Sequence, residues 1–500
     1  MILSITGITG NMGQATLDAL KSVQGIDELR LLAHNEKRIK KLLKKHKDML
    51  SRVKVIHGGM ASREAVSELV NGADLIINMA AVIPPRADNN PKAAVACNQT
   101  GAFMLVEEIE KQAVQPALVH ISTVAVYGNR SGAHPFGRVS DPLCATPLDA
   151  YSTTKMRAEK RVMDSDIQKW AILRQSAMLH PQMLTDNIHD GLMFHTVYDA
   201  PLEWITANDS GRLIANIVRK FIADAMPDGF WRRCFNIAGG ADCRRYGLHT
   251  FDEGFVVVGG STKDFFKPYY NATRNFHGIW YADGDELNDM FDFRRETPES
   301  YWKQIFKAHP IFKLGKLVPK RVIGHFVVGR LLKNKNAPAY WAKHGDAARI
   351  QAYFGGYENY EKLKTSKWKD YPSIAELKNI TQNESPIEYG FDVNKPDCEI
   401  TEQDLINVAT ARGGKLLSKY DGDMYKTLEW QNADGVTFTA KPYTVLRGGH
   451  WHCRAYDEFV WDYDRQAKTD KVLASVWYDS HDPSENSVYS FDDNFGTHVE

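Results

Sequence analysis

Tyr151 and Lys155 stand four residues apart in the run Tyr-Ser-Thr-Thr-Lys, a spacing that places both side chains on one face of a helix. A phenol with an ordinary pKa of about 10 exchanges protons poorly at neutral pH unless a nearby cation favours its phenolate. Lys155 is spaced to be that cation. Such a pair suits hydride transfer to a carbonyl, which leaves an alkoxide in need of a proton.

A hydride needs a carrier, and the chain opens with Thr6-Gly7-Ile8-Thr9-Gly10-Asn11-Met12-Gly13 between an apolar run and a helical one. Gly7 permits a sharp turn, Gly10 lets the backbone approach a pyrophosphate, and Gly13 lets the helix pack on the strand. The helix amino terminus then offers free N–H groups and a partial positive charge. Cofactor choice falls to the end of the second strand, Leu32-Ala33-His34-Asn35-Glu36-Lys37-Arg38. A carboxylate there would bind the ribose hydroxyls of NAD and repel the extra phosphate of NADP. None stands at the strand end, whereas His34, Lys37 and Arg38 can hold a 2′-phosphate and Glu36 opposes it. The reading favours NADP(H) over NAD(H).

Further elements follow in order: Asn78-Met79-Ala80-Ala81, then Asn98 with Gly101, then Ser122-Thr123-Val124-Ala125-Val126-Tyr127-Gly128, then Tyr151 to Lys155, then Leu173-Arg174-Gln175. In this ordered set the first 310 residues or so resemble the extended short-chain dehydrogenases/reductases, the group of sugar-nucleotide epimerases, dehydratases and carbonyl reductases. The resemblance implies that Thr123 donates to the substrate oxygen beside Tyr151, with Ser122 in reserve and Asn98 in support. It also implies that Lys155 bonds the nicotinamide ribose. Cofactor contacts are implied for Gly7, Thr9, Gly10, Asn11, Met12, Gly13, His34, Asn35, Arg38, Met60, Asn78, Ala80 and Ala81. Dehydratases of the group carry Asp and Glu after the catalytic Thr. Val124 and Ala125 hold those places here and move no protons, so elimination of water is disfavoured. The expected activity is a carbonyl/alcohol oxidoreductase acting on a small molecule. An NDP-sugar epimerase with tightly held NAD is the alternative, its diphosphate anchored by Arg232, Arg233, Arg244 and Arg245. A non-catalytic NAD(P)-binding scaffold is the third reading.

The elements that must position these residues alternate, as in a Rossmann-type, doubly wound parallel α/β sheet. Strands are expected at Met1 to Ile5, Glu28 to Ala33, Val53 to Gly58, Leu75 to Met79, Ala117 to Ser122, Trp170 to Arg174 and Cys234 to Ala238, with helices such as Met12 to Val23 and Gly101 to Gln112. Residues 1–310 read as the dinucleotide-binding domain, its substrate lobe mainly 178–310. A helical extension over 311–385, a linker around Asn379 to Asp397 and a C-terminal β-rich module over 400–500 follow, with strands at Thr427 to Trp430, Thr437 to Ala440 and Val472 to Tyr478.

Sixty-two basic and sixty-two acidic residues cancel, leaving no global field to gather nucleic acid. Six scattered cysteines without a CxxC pair argue for reduced thiols in a cytoplasm. No run reaches the apolar length of a spanning helix. Ile311 to Lys335 mixes apolar and basic residues; a helix packing on the lobe or against a second subunit is favoured over an interfacial membrane contact. Homodimerisation is the partner reading. Residues 400–455 resemble a small zinc-ribbon-like module through Ala411 to Ser418, Leu428-Glu429-Trp430 and Gly448 to Trp451. Asn432, Val436, His452 and Ala455 occupy its ligand positions, so no metal is expected there.

Overall fold

A computed structural model describes residues 1–130, 132–187, 189–371, 387–492 and 495–500. Its centre is a parallel sheet of β1 (Ile2–Thr6), β2 (Glu28–Ala33), β3 (Val53–His57), β4 (Leu75–Asn78), β5 (Ala117–Thr123), β6 (Trp170–Gln175) and β7 (Arg233–Ile237). The strands lie in the order β7-β6-β5-β4-β1-β2-β3. Runs such as Leu75 to Ile77 are apolar on both faces because helices cover both sides of the sheet. The order reverses between β1 and β4, which opens a crevice at the carboxyl ends of the strands. Helices α1 (Asn11–Leu20), α2 (Glu36–Leu43), α3 (Gly101–Glu110), α4 (Ala150–Met163) and α5 (Ala207–Ile222) flank it.

One core layer joins Leu3, Ile5 and Leu31 to Leu17 of α1 and to Leu213 and Ile217 of α5. The opposite layer joins Leu105, Ile109, Val162 and Trp170 to Leu428, Trp430, Phe438 and Trp451 near the C-terminus. A small sheet of Ala177–Leu179, Pro201–Thr206 and Arg244–Tyr246 starts the lobe above the crevice.

Helix α4 is rich in polar residues, yet most of its surface is buried. Buried polar groups need partners, and the C-terminal region supplies them. Trp461 donates its indole N–H to Thr153 (3.1 Å), Arg157 donates to the carbonyls of Ala455 (2.9 Å) and Glu458 (2.5 Å), and Lys160 donates to Thr439 (2.7 Å). Just past the helix, Asp164 accepts from the Thr444 hydroxyl (2.6 Å) and the Lys441 amide (3.1 Å).

That region carries two antiparallel sheets, β8 (Lys415–Leu416) with β9 (Leu428–Gln431) and β10 (Thr437–Ala440), and β11 (Val460–Trp461) with β12 (Tyr489–Phe491) and β13 (Thr497–Val499). Val472 to Tyr478, expected as a strand, is instead a helix over Lys471–Trp477. Asp470 caps it by accepting from the Leu473 amide (2.9 Å), and Val472, Leu473, Val476 and Trp477 are buried at helical spacing. Cap and periodicity outweigh the β-propensity of valine. At the ribbon-like ligand positions the Asn432 amide and His452 Nδ1 lie 3.2 Å apart, and no metal-binding cluster occurs among the described residues.

The segment after Ala308 is a series of short turns and helical pieces, interrupted at Pro319, Gly324 and Gly329. Val328 and Leu331 enter the aromatic cluster of Phe194, Tyr198, Phe251 and Phe266. Ile311, Leu314, Leu317 and Phe326 stay exposed, while Gly315 packs against Val258 and Ile323 on the same aromatic cluster. Residues 372–386, with the end of the expected helical extension and the start of the expected linker, lie outside the described residues. No helix among the described residues is long and apolar enough to cross a membrane.

Candidate active site

The turn after β1 is built for a ligand. Gly7 has φ +71°, and a Cβ on it would sit 2.6 Å from the Met79 carbonyl carbon; one on Gly13 would sit 2.5 Å from the Gly7 oxygen. Those two glycines are required by the fold. Gly10 is different: it is exposed, its φ is −77°, and a Cβ there would approach only the Gly7 oxygen, at 3.3 Å. A side chain at Gly10 would fill the space in front of the turn, which is the space a pyrophosphate needs. The first turn of α1, from Asn11 through Met12 and Gly13, has neither a side-chain cap nor an acidic residue, so its amides are left for an anion. The residues present therefore fit a dinucleotide.

Not every expected contact residue faces that turn. Thr6 donates its hydroxyl to Asn78 Oδ1 (2.6 Å), the Asn78 amide bonds His120 Nδ1 (3.0 Å), and the Ala80 amide donates back to Thr6 (3.0 Å). Asn78 is thus a buried clamp across β1, β4 and β5. Met60 is buried against Gly101, where an added Cβ would lie 2.5 Å from its own. The Thr9 carbonyl accepts from Gln14 (3.2 Å), while Ala81 is exposed. At the end of β2, Asn35 caps α2 by accepting from the Arg38 amide (3.0 Å). Glu36 is drawn along the helix to Lys40 at 2.5 Å, and the hydrogen bond and charge of Lys40 hold its carboxyl below the usual range. His34 and Arg38 are exposed at this end.

Strand alternation decides which hydroxyl of β5 serves the crevice. Thr123 accepts from the Ala125 amide (3.2 Å) and shares a hydrogen bond with the Tyr151 phenol. Ser122 points the other way and donates to Glu159 within the core. Asp149 caps α4, accepting from the amides of Tyr151 (2.8 Å) and Ser152 (3.3 Å), which fixes the turn carrying the phenol. Asn98 is buried. It accepts from the Val82 amide (2.7 Å) and donates to the Val82 carbonyl (3.0 Å) and Thr154 (3.2 Å), tying α4 to the loop after β4.

Lys155 does not tune the phenol in the way expected. Its ammonium donates to the Ile121 carbonyl (2.5 Å) and lies 3.4 Å from His120 Nε2. Burial brings its pKa down to about 8. The Tyr151 phenol is pushed up to about 12 by burial, with the Thr123 hydrogen bond lowering it and the Asp149 charge raising it.

Other buried groups with shifted pKa values were marked by no motif. Asp88 is pushed up to about 8 by burial and by the charge of Asp149, with Arg349 opposing. Burial holds His195 and His277 down at about 4. Only Asp149 had a sequence signal, a capping residue just before the helix. The sign for Asp88 is clear: its pKa is raised on folding, so the folded state holds the extra proton between about pH 4 and pH 8 and loses stability as pH rises through that window. Asp88→Asn is expected to raise Tm by a few degrees at about pH 8 and to change little near pH 4. Thermal melts of both proteins across pH check this.

A parallel sheet reversing at β1/β4, with a glycine turn aimed at that crevice, defines a Rossmann-type, doubly wound fold. Residues 3–174 match the model of the NAD dependent epimerase/dehydratase family. A dTDP-glucose 4,6-dehydratase of Mycobacterium tuberculosis is 30% identical over 118 residues, covering 23% of this chain and 34% of that protein. The chain thus spans about a third of the length of the curated relatives it matches. Among solved structures, a UDP-glucuronic acid 4-epimerase from Bacillus cereus superposes with TM-score 0.49 at 18% identity, covering 62% of this chain and 100% of the other. A dTDP-glucose 4,6-dehydratase from Streptomyces venezuelae gives 0.48 at 18% identity, with 62% and 98% covered.

Proposed function

We propose that the protein is an NAD(P)-dependent oxidoreductase that reduces a carbonyl, or oxidises the matching alcohol, of a small organic substrate. The observation that carries this reading is the shared hydrogen bond of Tyr151 and Thr123 at the carboxyl end of β5, beside the glycine turn. When bound, the nicotinamide supplies or accepts the hydride. A substrate oxygen entering between the two hydroxyls takes a hydrogen bond from Thr123, which orients it. The phenol, with its pKa at about 12, holds its proton at neutral pH and is poised as the donor. As the C–H bond forms, the carbonyl π pair moves onto oxygen, and that oxygen takes the Tyr151 proton to give the alcohol. The ammonium of Lys155, one helical turn on, is held by the Ile121 carbonyl and takes no direct part in this step.

The family match favours the NDP-sugar epimerase as a second reading. Against it, the four arginines expected to hold a diphosphate are engaged elsewhere. Arg232 lies 3.5 Å over the Tyr425 ring, Arg233 pairs with Glu286 (2.7 Å), Arg244 with Glu203 (3.1 Å) and Arg245 with Glu253 (2.7 Å). Mass spectrometry of the purified protein, followed by NADPH oxidation with a panel of carbonyls, tests the choice. Exchangeable nucleotide with net turnover supports the oxidoreductase; tightly held NAD without turnover overturns it.

The cofactor we assign is NADP(H), because Glu36 is held by Lys40 while His34 and Arg38 remain exposed at the end of β2. NADPH is expected to bind about tenfold more tightly than NADH, and Arg38→Ala to remove most of that difference. Titration of cofactor fluorescence measures both. The assigned compartment is the cytoplasm, in keeping with six free cysteines.

A further inference from the structure

Between Glu299 and Asp346 the sequence contains no acidic residue, yet it carries eight lysines and two arginines in a chain of net charge zero. The same stretch holds Ile311, Leu314, Leu317, Val318, Val322, Phe326 and Val327, all exposed, with Leu317 at 83% and Phe326 at 69%. Single exposed apolar residues are ordinary; seven within seventeen positions are not. Lys313, Lys316, Arg321 and Arg330 are exposed among them, and Lys320 pairs with Asp264 at 2.9 Å.

We propose that this segment docks the protein on an anionic lipid bilayer, with its apolar side chains entering the headgroup boundary and its cations meeting the lipid phosphates. Charge favours lipid over a second copy of the chain. A symmetric contact through this patch would bring each cationic stretch against its own twin, with no acid from the stretch to offset it. The segment is held on the lobe by Val328 and Leu331 in the aromatic cluster, by Gly315 against Val258 and by Lys320 on Asp264, so the exposed side chains are carried on a fixed base. This docking is independent of the hydride chemistry.

The test is co-sedimentation of the full chain with vesicles of phosphatidylcholine alone and of phosphatidylcholine with about 30% phosphatidylglycerol. Binding to the anionic vesicles is expected to be at least about tenfold stronger and to fall with added salt. Leu317→Asp combined with Phe326→Asp should abolish most of it without altering circular dichroism, since both side chains are exposed. Equal binding to both vesicles, or unchanged binding of the double variant, overturns the proposal. So does light scattering that shows a dimer which the double variant converts to monomer.

Discussion

Tyr151→Phe is expected to lower kcat by about 10³-fold while leaving the cofactor dissociation constant nearly unchanged. The substitution removes one oxygen and preserves the ring, so the packing of Tyr151 against Ala150 and Val82 survives. What is lost is the proton that the developing alkoxide requires. Thr123→Val removes a hydrogen bond to that same oxygen and should cost about 10²-fold. Because the two hydroxyls act on one atom, the double variant should fall little below Tyr151→Phe. Steady-state kinetics with a responsive carbonyl, alongside cofactor titration, decide the matter; turnover unchanged in the phenylalanine variant would remove Tyr151 from the chemistry.

The second large effect is on stability. Arg174 and Glu159 are both fully buried and joined through three nitrogen–oxygen contacts of 2.8 to 3.1 Å. Arg174 also donates to the Tyr127 hydroxyl (2.7 Å) and to the carbonyls of Val139 (2.9 Å) and Gly448 (2.8 Å). His450 approaches the same carboxylate at 3.3 Å. Burial alone would raise the Glu159 pKa, yet Arg174 and His450 hold it at about 2. Arg174→Met leaves a buried carboxylate without its partner and is expected to cost about 3–5 kcal/mol, whereas replacing both residues by apolar ones should cost much less. Denaturant unfolding of the two variants measures the difference. The sign in pH follows from the lowered carboxyl: the contribution is complete above about pH 4.5 and is lost as pH falls towards 2.

The sheet was legible because its strands are short apolar runs bounded by turn residues, and each of the seven lies within one residue of its expected place. The glycine turn was legible for the same reason, since strand, spacing and helix agree. Local pattern could not show where side chains point once distant segments close over them. Asn78 reads as a cofactor contact until His120 arrives from β5. Ser122 and Thr123 are adjacent hydroxyls until the pleat sends one into the core and the other to the crevice. Lys155 is spaced to meet Tyr151, but the Ile121 carbonyl takes its ammonium. Nothing local marks the polar face of α4 as buried, because its partners lie about 300 residues away in sequence.

Those long-range partners bear on how the chain matures as it leaves the ribosome. The helix that carries Tyr151 and Lys155 has its outer polar groups satisfied by Thr439, Ala455, Glu458 and Trp461, so early emergence of the glycine turn cannot by itself complete the candidate site. A nascent polypeptide stalled before residue 461 should show a nucleotide fold with an unsettled reaction site. Ordering of that helix is therefore completed only after residue 461 has emerged.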